Sequence, residues 1–254
     1  MSKLPDAHKF TDLSDYGRPI AQRIASSLKD TAVTPIQVTL WFVLSGCIAI
    51  YCILSDHLIL AALFLILKSI LDAADGELAR LKNTPSYTGR YLDSVSDIIL
   101  NFLFLTAIWY TTEVPFSWTL LAFIGLQLQG TLYNYYYVIL RNNLNGDTTS
   151  RVFEHETPTA LKGETQKNVN ILFGLYTLFY GVFDKAIHVL DPNAYKSKLF
   201  PPMFMSMISI FGLGFQLLII SMMLVLGLKA YISIFFIGFT ALILVFIGIR
   251  RLLL

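Results

Sequence analysis

The chain has 254 residues, of which 55% are hydrophobic and only 14% charged, with a formal net charge of +2. A soluble domain carries roughly 25% charged residues, and here the charges are clustered between long apolar stretches, so the sequence reads as an all-α polytopic membrane protein. So small a positive charge argues against a nucleic-acid partner.

Met1–Phe10 is polar and holds no apolar signal-peptide core, so the first apolar helix is expected to act as an uncleaved anchor. Over residues 9–31, Ile20, Ile24 and Leu28 recur at helical spacing among Arg18, Arg23 and Lys29. That pattern predicts an N-terminal amphipathic helix on the membrane surface, the alternative being a solvated helix packed on loops. Residues 1–34 thus form an N-terminal cytoplasmic segment, and residues 35–254 a transmembrane domain. Helices are expected over 36–55, with Pro35 suited to the first turn, and over 58–81, 89–111 and 116–140. After a polar connection (141–168), further apolar segments cover 169–190, 202–227 and 230–249. Cys47 and Cys52 are five apart in one apolar run and read as small buried hydrophobes, not as a disulfide framework.

Lys and Arg placement sets orientation. The N-terminal segment holds five, the stretch around 80–90 three and the 141–168 connection four, and an N-terminus in the cytoplasm puts all twelve inside. Seven spans would leave Arg250 and Arg251 outside, whereas a non-spanning 169–190 would bring them in, although that segment is long enough to span. The expected architecture is a six-helix transmembrane core with an extra C-terminal helix and the N-terminal interfacial helix.

Asp72, Asp75, Asp93 and Asp97 lie within 26 residues of this greasy chain. An ionisable residue at bilayer depth costs about 2.5–3.5 kcal/mol on insertion scales, so four unpaired ones would cost on the order of 10 kcal/mol. Helical spacing puts Asp72, Asp75, Gly76, Ala79 and Arg80 on one stripe, and Asp93 and Asp97 on another with Gly89 a turn earlier. The short link from Leu81 to Thr88, which contains Pro85, is expected to make the two helices antiparallel neighbours whose stripes converge. Four carboxylates suit Mg²⁺, Mn²⁺ or Ca²⁺, not zinc, and can hold two ions that clamp phosphates. Gly76 leaves room beside them, and Arg80 offers a planar donor fork to phosphate. The competing structural reading is buried ion pairing, with Lys68 one turn before Asp72.

The string D-x-x-D-G-x-x-A-R-x8-G-x-x-x-D-x-x-x-D, matched by Asp72, Asp75, Gly76, Ala79, Arg80, Gly89, Asp93 and Asp97, resembles the signature of the CDP-alcohol phosphatidyltransferases. The resemblance implies six transmembrane helices, often in a homodimer, with the site at the cytoplasmic face. It implies two divalent ions, Mg²⁺ or Mn²⁺, held by Asp72, Asp75, Asp93 and Asp97, with Asp97 as general base. Gly76, Ala79, Arg80 and Gly89 would contact a CDP-linked donor, flanked by the turn at Thr34 and Pro35, with Ser86 donating a hydroxyl to its phosphates. Family members commonly carry Asn where this chain has Ile36. The implied reaction transfers a phosphatidyl group from a CDP-linked donor, CDP-diacylglycerol being favoured, to an alcohol acceptor and releases CMP. Transfer of a CDP-linked headgroup to diacylglycerol is the alternative.

Arg141, Lys162 and Lys167 are candidates for binding a phosphorylated acceptor, against a bland reading as topology residues. His155 and the tyrosines at 133–137 read as solvated loop and as helix packing, respectively. Two rivals remain. Intramembrane prenyltransferases also place Asp-rich helices on a diphosphate, but their acidic motifs lie far apart in sequence. A cation transporter would need aspartates along a path, whereas these sit at one face.

Overall fold

The computed structural model describes residue 4 and residues 8–144, 154, 156–197 and 200–253; His155 lies outside the described residues. Its α-helices are α1 (Arg18–Leu28), α2 (Pro35–Leu54), α3 (Leu58–Leu81), α4 (Tyr87–Tyr110), α5 (Phe116–Asn143), α6 (Gln166–Leu190), α7 (Pro202–Ile208), α8 (Leu213–Val225), α9 (Ile232–Phe239) and α10 (Leu242–Leu253). The expected all-α fold is therefore found, with helices at each predicted apolar segment.

Local chemistry sets the boundaries. Thr34 caps α2 in a reciprocal box with Gln37, and Pro35 occupies the first turn as expected. Ser86 caps α4 by accepting from the Gly89 N–H at 2.8 Å. The amphipathic N-terminal helix is shorter than predicted, because a 3₁₀ turn (Leu13–Asp15) precedes it, and Pro19 sits in its first turn. Its buried face is Ala21 and Ala25, packed among Ile70, Ala74 and Leu78 of α3, while Ile20 is exposed.

Large apolar side chains occupy both the inside and the outside of the bundle. Phe42, Leu65, Phe104, Leu126, Leu217 and Phe236 share one buried cluster, whereas Leu44, Ile59, Leu63 and Leu121 are exposed. An apolar exterior of this kind marks a membrane protein. α2, α4 and the stretch Lys229–Leu252 are long and apolar enough to cross a bilayer, and Pro202–Phe211 with Leu213–Val225 forms a fourth candidate bent by 50°. Cys52 is buried, but Cys47 is exposed, on the apolar outer face, so the expectation of two buried cysteines holds for one.

One relationship departs from the sequence reading. α3 and α4 are not close neighbours along their length; α2 packs against both, and α3 instead pairs with α1, α2 and α8. Opposed carboxylate stripes repel and need space, and the gap between the helices becomes the site. The contacts of α6 are the other feature that bears on the site. Tyr91 meets Tyr176, and Tyr180 donates to the Ser94 carbonyl, in the first turns of α4. Farther along α6, His188 lies beside Tyr135, and Asp191 accepts from the Tyr136 hydroxyl at 2.6 Å, towards the end of α5. α6 therefore packs on both helices and joins the first turns of α4 to the later turns of α5. Lys229 pairs with Asp56 between α2 and α3, and Arg250 donates to the same Asp191 at 2.8 Å, so the final stretch returns to the end of α6.

Candidate active site

The gap between α3 and α4 opens into a cavity of about 390 Å³ lined by all four motif aspartates. Carboxylate oxygens of Asp72, Asp75 and Asp93 lie within 4.8 Å of one another. Asp75 is 8% exposed and accepts from the Thr39 hydroxyl at 2.6 Å, which orients it from α2. Asp93 Oδ1 is buried without a partner. Three hard oxygen donors at this separation, one of them unpaired, fit a divalent cation of the Mg²⁺ class.

Asp97 is held differently. Lys68, with no exposed surface, donates to Asp72 Oδ2 at 2.8 Å and to Asp97 Oδ1, and its ammonium sits 4.5 Å from the centre of the Phe42 ring. The anticipated Lys68–Asp72 pair is thus present and extends to the last motif aspartate.

Among the expected donor contacts, Gly76 and Arg80 line the cavity; Thr34, Pro35, Ala79, Ser86 and Gly89 do not. The Arg80 guanidinium donates to Glu77 at 2.7 Å and keeps Nε buried without a partner. The Ser86 hydroxyl is engaged, accepting from Gly89 and donating to Glu164 at 2.7 Å. Glu164 also accepts from the Thr88 and Leu161 N–H groups. Burial pushes its carboxyl up, but these hydrogen bonds outweigh it and hold Glu164 below its ordinary range.

None of the basic residues expected at the acceptor lines the cavity. Arg141 is buried with its guanidinium 4.8 Å from the Tyr137 ring centre, a stacking that draws it into the helix packing, and Lys162 and Lys167 are exposed. Tyr133 and Tyr137, read from sequence as packing residues, pack and also line the cavity. Sequence reasoning missed a whole wall. Asp12, Ser14, Asp15 and Arg18 close one side of the cavity. That segment is fixed by the Tyr133 hydroxyl donating to Asp12 at 2.5 Å and by the Leu13 N–H donating to Ser209 at 2.9 Å. Its signal in the sequence is Gly212-x-Gly214, where the absence of side chains lets the Ser14 backbone lie against the start of α8. A second, more apolar cavity of about 650 Å³ lies between α5 and α6 and shares Thr131, Asn134, Tyr176 and Asp184 with the first.

A stripe of paired aspartates on each of two helices, converging on one cavity, is the arrangement that defines the CDP-alcohol phosphatidyltransferase family, and the chain belongs to it: the family's model matches residues 32–246. A bifunctional IPC transferase and DIPP synthase of Thermococcus kodakarensis is 37% identical over 109 residues, a match covering 43% of this chain and 25% of that protein. The chain therefore aligns with about a quarter of the length of this curated relative.

Proposed function

We propose that this protein transfers a phosphatidyl group from CDP-diacylglycerol to the hydroxyl of an alcohol and releases CMP. The observation that carries the reading is the gathering of the Asp72, Asp75 and Asp93 carboxylates within 4.8 Å, beside Asp97 in one cavity. Asp72, Asp75 and Asp93 would hold a divalent ion, Mg²⁺ or Mn²⁺, and with Asp97 would take a second. Bound there, such ions supply positive charge for the donor diphosphate and for the CMP leaving group.

The protein's own groups do the rest. Gly76 leaves space in the cavity beside α3, and the CDP part would extend from there past Ala79 towards the Thr34–Pro35 turn and the start of α4 at Ser86 and Gly89, which lie outside the cavity. The unpaired Arg80 Nε offers a donor to phosphate. Asp97 takes the proton of the acceptor hydroxyl. The oxygen forms a new bond to the β-phosphorus, the bond from that phosphorus to the bridging oxygen breaks, and CMP departs with the electron pair. Positioning and preorganised charge account for most of the rate.

The contacts of α6 favour six crossings: α2, α3, α4, α5, the bent α7–α8 pair and α9–α10. α6 would lie along the cytoplasmic face together with the site, and Arg250 and Arg251 would fall inside, as the positive-inside rule asks. A homodimer is the expected assembly. The test is CMP release by purified protein with CDP-diacylglycerol, Mg²⁺ and a panel of alcohols. Release should be abolished in Asp97→Asn purified as a folded protein; wild-type-like turnover there would overturn the assignment of the base.

A further inference from the structure

Two polar groups on α5 are buried without partners. Gln127 is 4% exposed with its Nε2 unpaired, and Thr131 is 6% exposed with its Oγ1 unpaired. Leaving such groups dry destabilises the fold, which a protein tolerates where a ligand supplies the missing bond. Both line the aspartate cavity, and their four-residue spacing puts them on one stripe, continued by Asn134. On α4, Asn101 extends the Asp93–Asp97 stripe by a further turn and is 5% exposed. The wall opposite α3 is therefore built of amides and a hydroxyl.

Resting on the transferase reading above, we propose that this wall is the acceptor subsite and that it takes an uncharged polyhydroxy alcohol. An unpaired N–H on Gln127 needs an oxygen to donate to, which an ammonium does not offer. Thr131, Asn101 and Asn134 each both donate and accept, matching hydroxyls that do the same. Charge points the same way. Among the described residues the cations lining the cavity are Arg18 and Arg80, and both are already paired, Arg18 with Asp15 and Arg80 with Glu77. Asp12, Asp15 and Asp184 add negative charge beside the motif aspartates, so a phosphate on the acceptor would meet repulsion, and the unpaired Arg80 Nε is engaged by the donor phosphates in the reading above. Asp12 and Asp15 are themselves engaged, by Tyr133 and Ser14 and by Arg18, which leaves less for an amino alcohol. In the reaction one polyol hydroxyl oxygen bonds to the β-phosphorus, its proton passes to Asp97, and CMP leaves with the electrons of the broken phosphorus–oxygen bond.

The experiment uses the full chain in detergent with CDP-diacylglycerol and Mg²⁺, measuring CMP release over a blank without acceptor. The acceptors are myo-inositol and glycerol, their monophosphates, and choline, ethanolamine and serine; a separate arm offers CDP-choline with diacylglycerol. Release should require a neutral polyol. Gln127→Leu and Thr131→Val should raise the KM for that polyol about tenfold each, the loss of one hydrogen bond, with the KM for CDP-diacylglycerol unchanged. Gln127→Glu, which keeps the size of the side chain, serves if Gln127→Leu fails to fold. Preference for a phosphorylated or amino alcohol overturns the acceptor assignment and leaves the transferase reading standing, whereas release only from CDP-choline with diacylglycerol overturns the acceptor assignment together with the choice of donor. Unchanged polyol KM in folded variants overturns the placement of the subsite. CMP release from no pair at all overturns the transferase reading itself.

Discussion

The Lys68 ammonium ties Asp97 of α4 to Asp72 of α3, across the gap that forms the cavity. It is wholly buried, so it acts as a fixed internal cation among four carboxylates that would otherwise repel one another. Removing one partner of a buried ion pair typically costs about 3–5 kcal/mol, because the other charge is left uncompensated.

Lys68→Met should therefore lower the melting temperature in metal-free buffer, and Mg²⁺ should restore more stability to the variant than it adds to the wild type. A ligand that binds only the folded state stabilises it in proportion to its affinity, and one positive charge fewer raises the affinity of the site for a cation. Thermal unfolding in detergent with and without Mg²⁺ checks this; an Mg²⁺-dependent rise no larger than the wild type's rules out the internal-cation role.

The aspartates were legible in sequence because their contacts are set by helical periodicity over 26 residues. Asp72 and Asp75, or Asp93 and Asp97, share a face whatever surrounds them. What joins distant segments was not legible. Thr39 reaches Asp75 from another helix, and Asp12 and Arg18 reach the cavity only because Gly212 and Gly214 make room for Ser14. Residues 169–190 read as one more apolar segment, and the contacts of Tyr180 with Ser94 and of Asp191 with Tyr136, which join α6 to α4 and α5, have no signal in the local pattern. Local pattern fixes a helix and its faces, whereas its direction through the fold depends on partners far away in the chain.

Thr39→Val removes a hydroxyl of nearly the same volume from a fully buried position. Asp75 then loses its 2.6 Å hydrogen bond from α2, a contact to a charged group worth about 1.5–3 kcal/mol. Outer contacts of this kind typically change metal affinity by about 10–100-fold. The Mg²⁺ concentration for half-maximal CMP release should rise by that factor, and Mn²⁺ binding followed by electron paramagnetic resonance should weaken in parallel. Unaltered Mn²⁺ affinity would show that Thr39 supports the helix pair and not the ion.

Glu164 clamps the loop before α6 onto the start of α4 through Ser86 and Thr88. Its carboxyl titrates below the ordinary value of 4.5, so the charged form is favoured in the folded state. The stability it contributes is fully present above pH 4.5 and disappears as the pH falls below that value through the lower folded one. Because the group is partly exposed, about 1 kcal/mol is at stake. Glu164→Gln should be less stable than the wild type at pH 7, and the difference should shrink once the pH drops below 4.5. A difference that stays constant across that range would mean that the charge does not hold the loop.

Gly214 is the most constrained of the close approaches between the N-terminal segment and the bent α7–α8 pair. A methyl group at this position would overlap the Ser14 carbonyl and touch the Ser69 hydroxyl, 2.9 Å away, and neither the backbone of Ser14 nor the α3 helix behind it can yield easily. Gly214→Ala should therefore displace residues 12–15 from the cavity, break the hydrogen bond from Leu13 to Ser209, and make the N-terminal segment readily cleaved by protease while the helical bundle stays intact. If those residues form a wall of the active site, CMP release should fall along with the protection. Should protease resistance fall with turnover unchanged, Asp12, Ser14, Asp15 and Arg18 would be a structural strap lying beside the reaction without taking part in it.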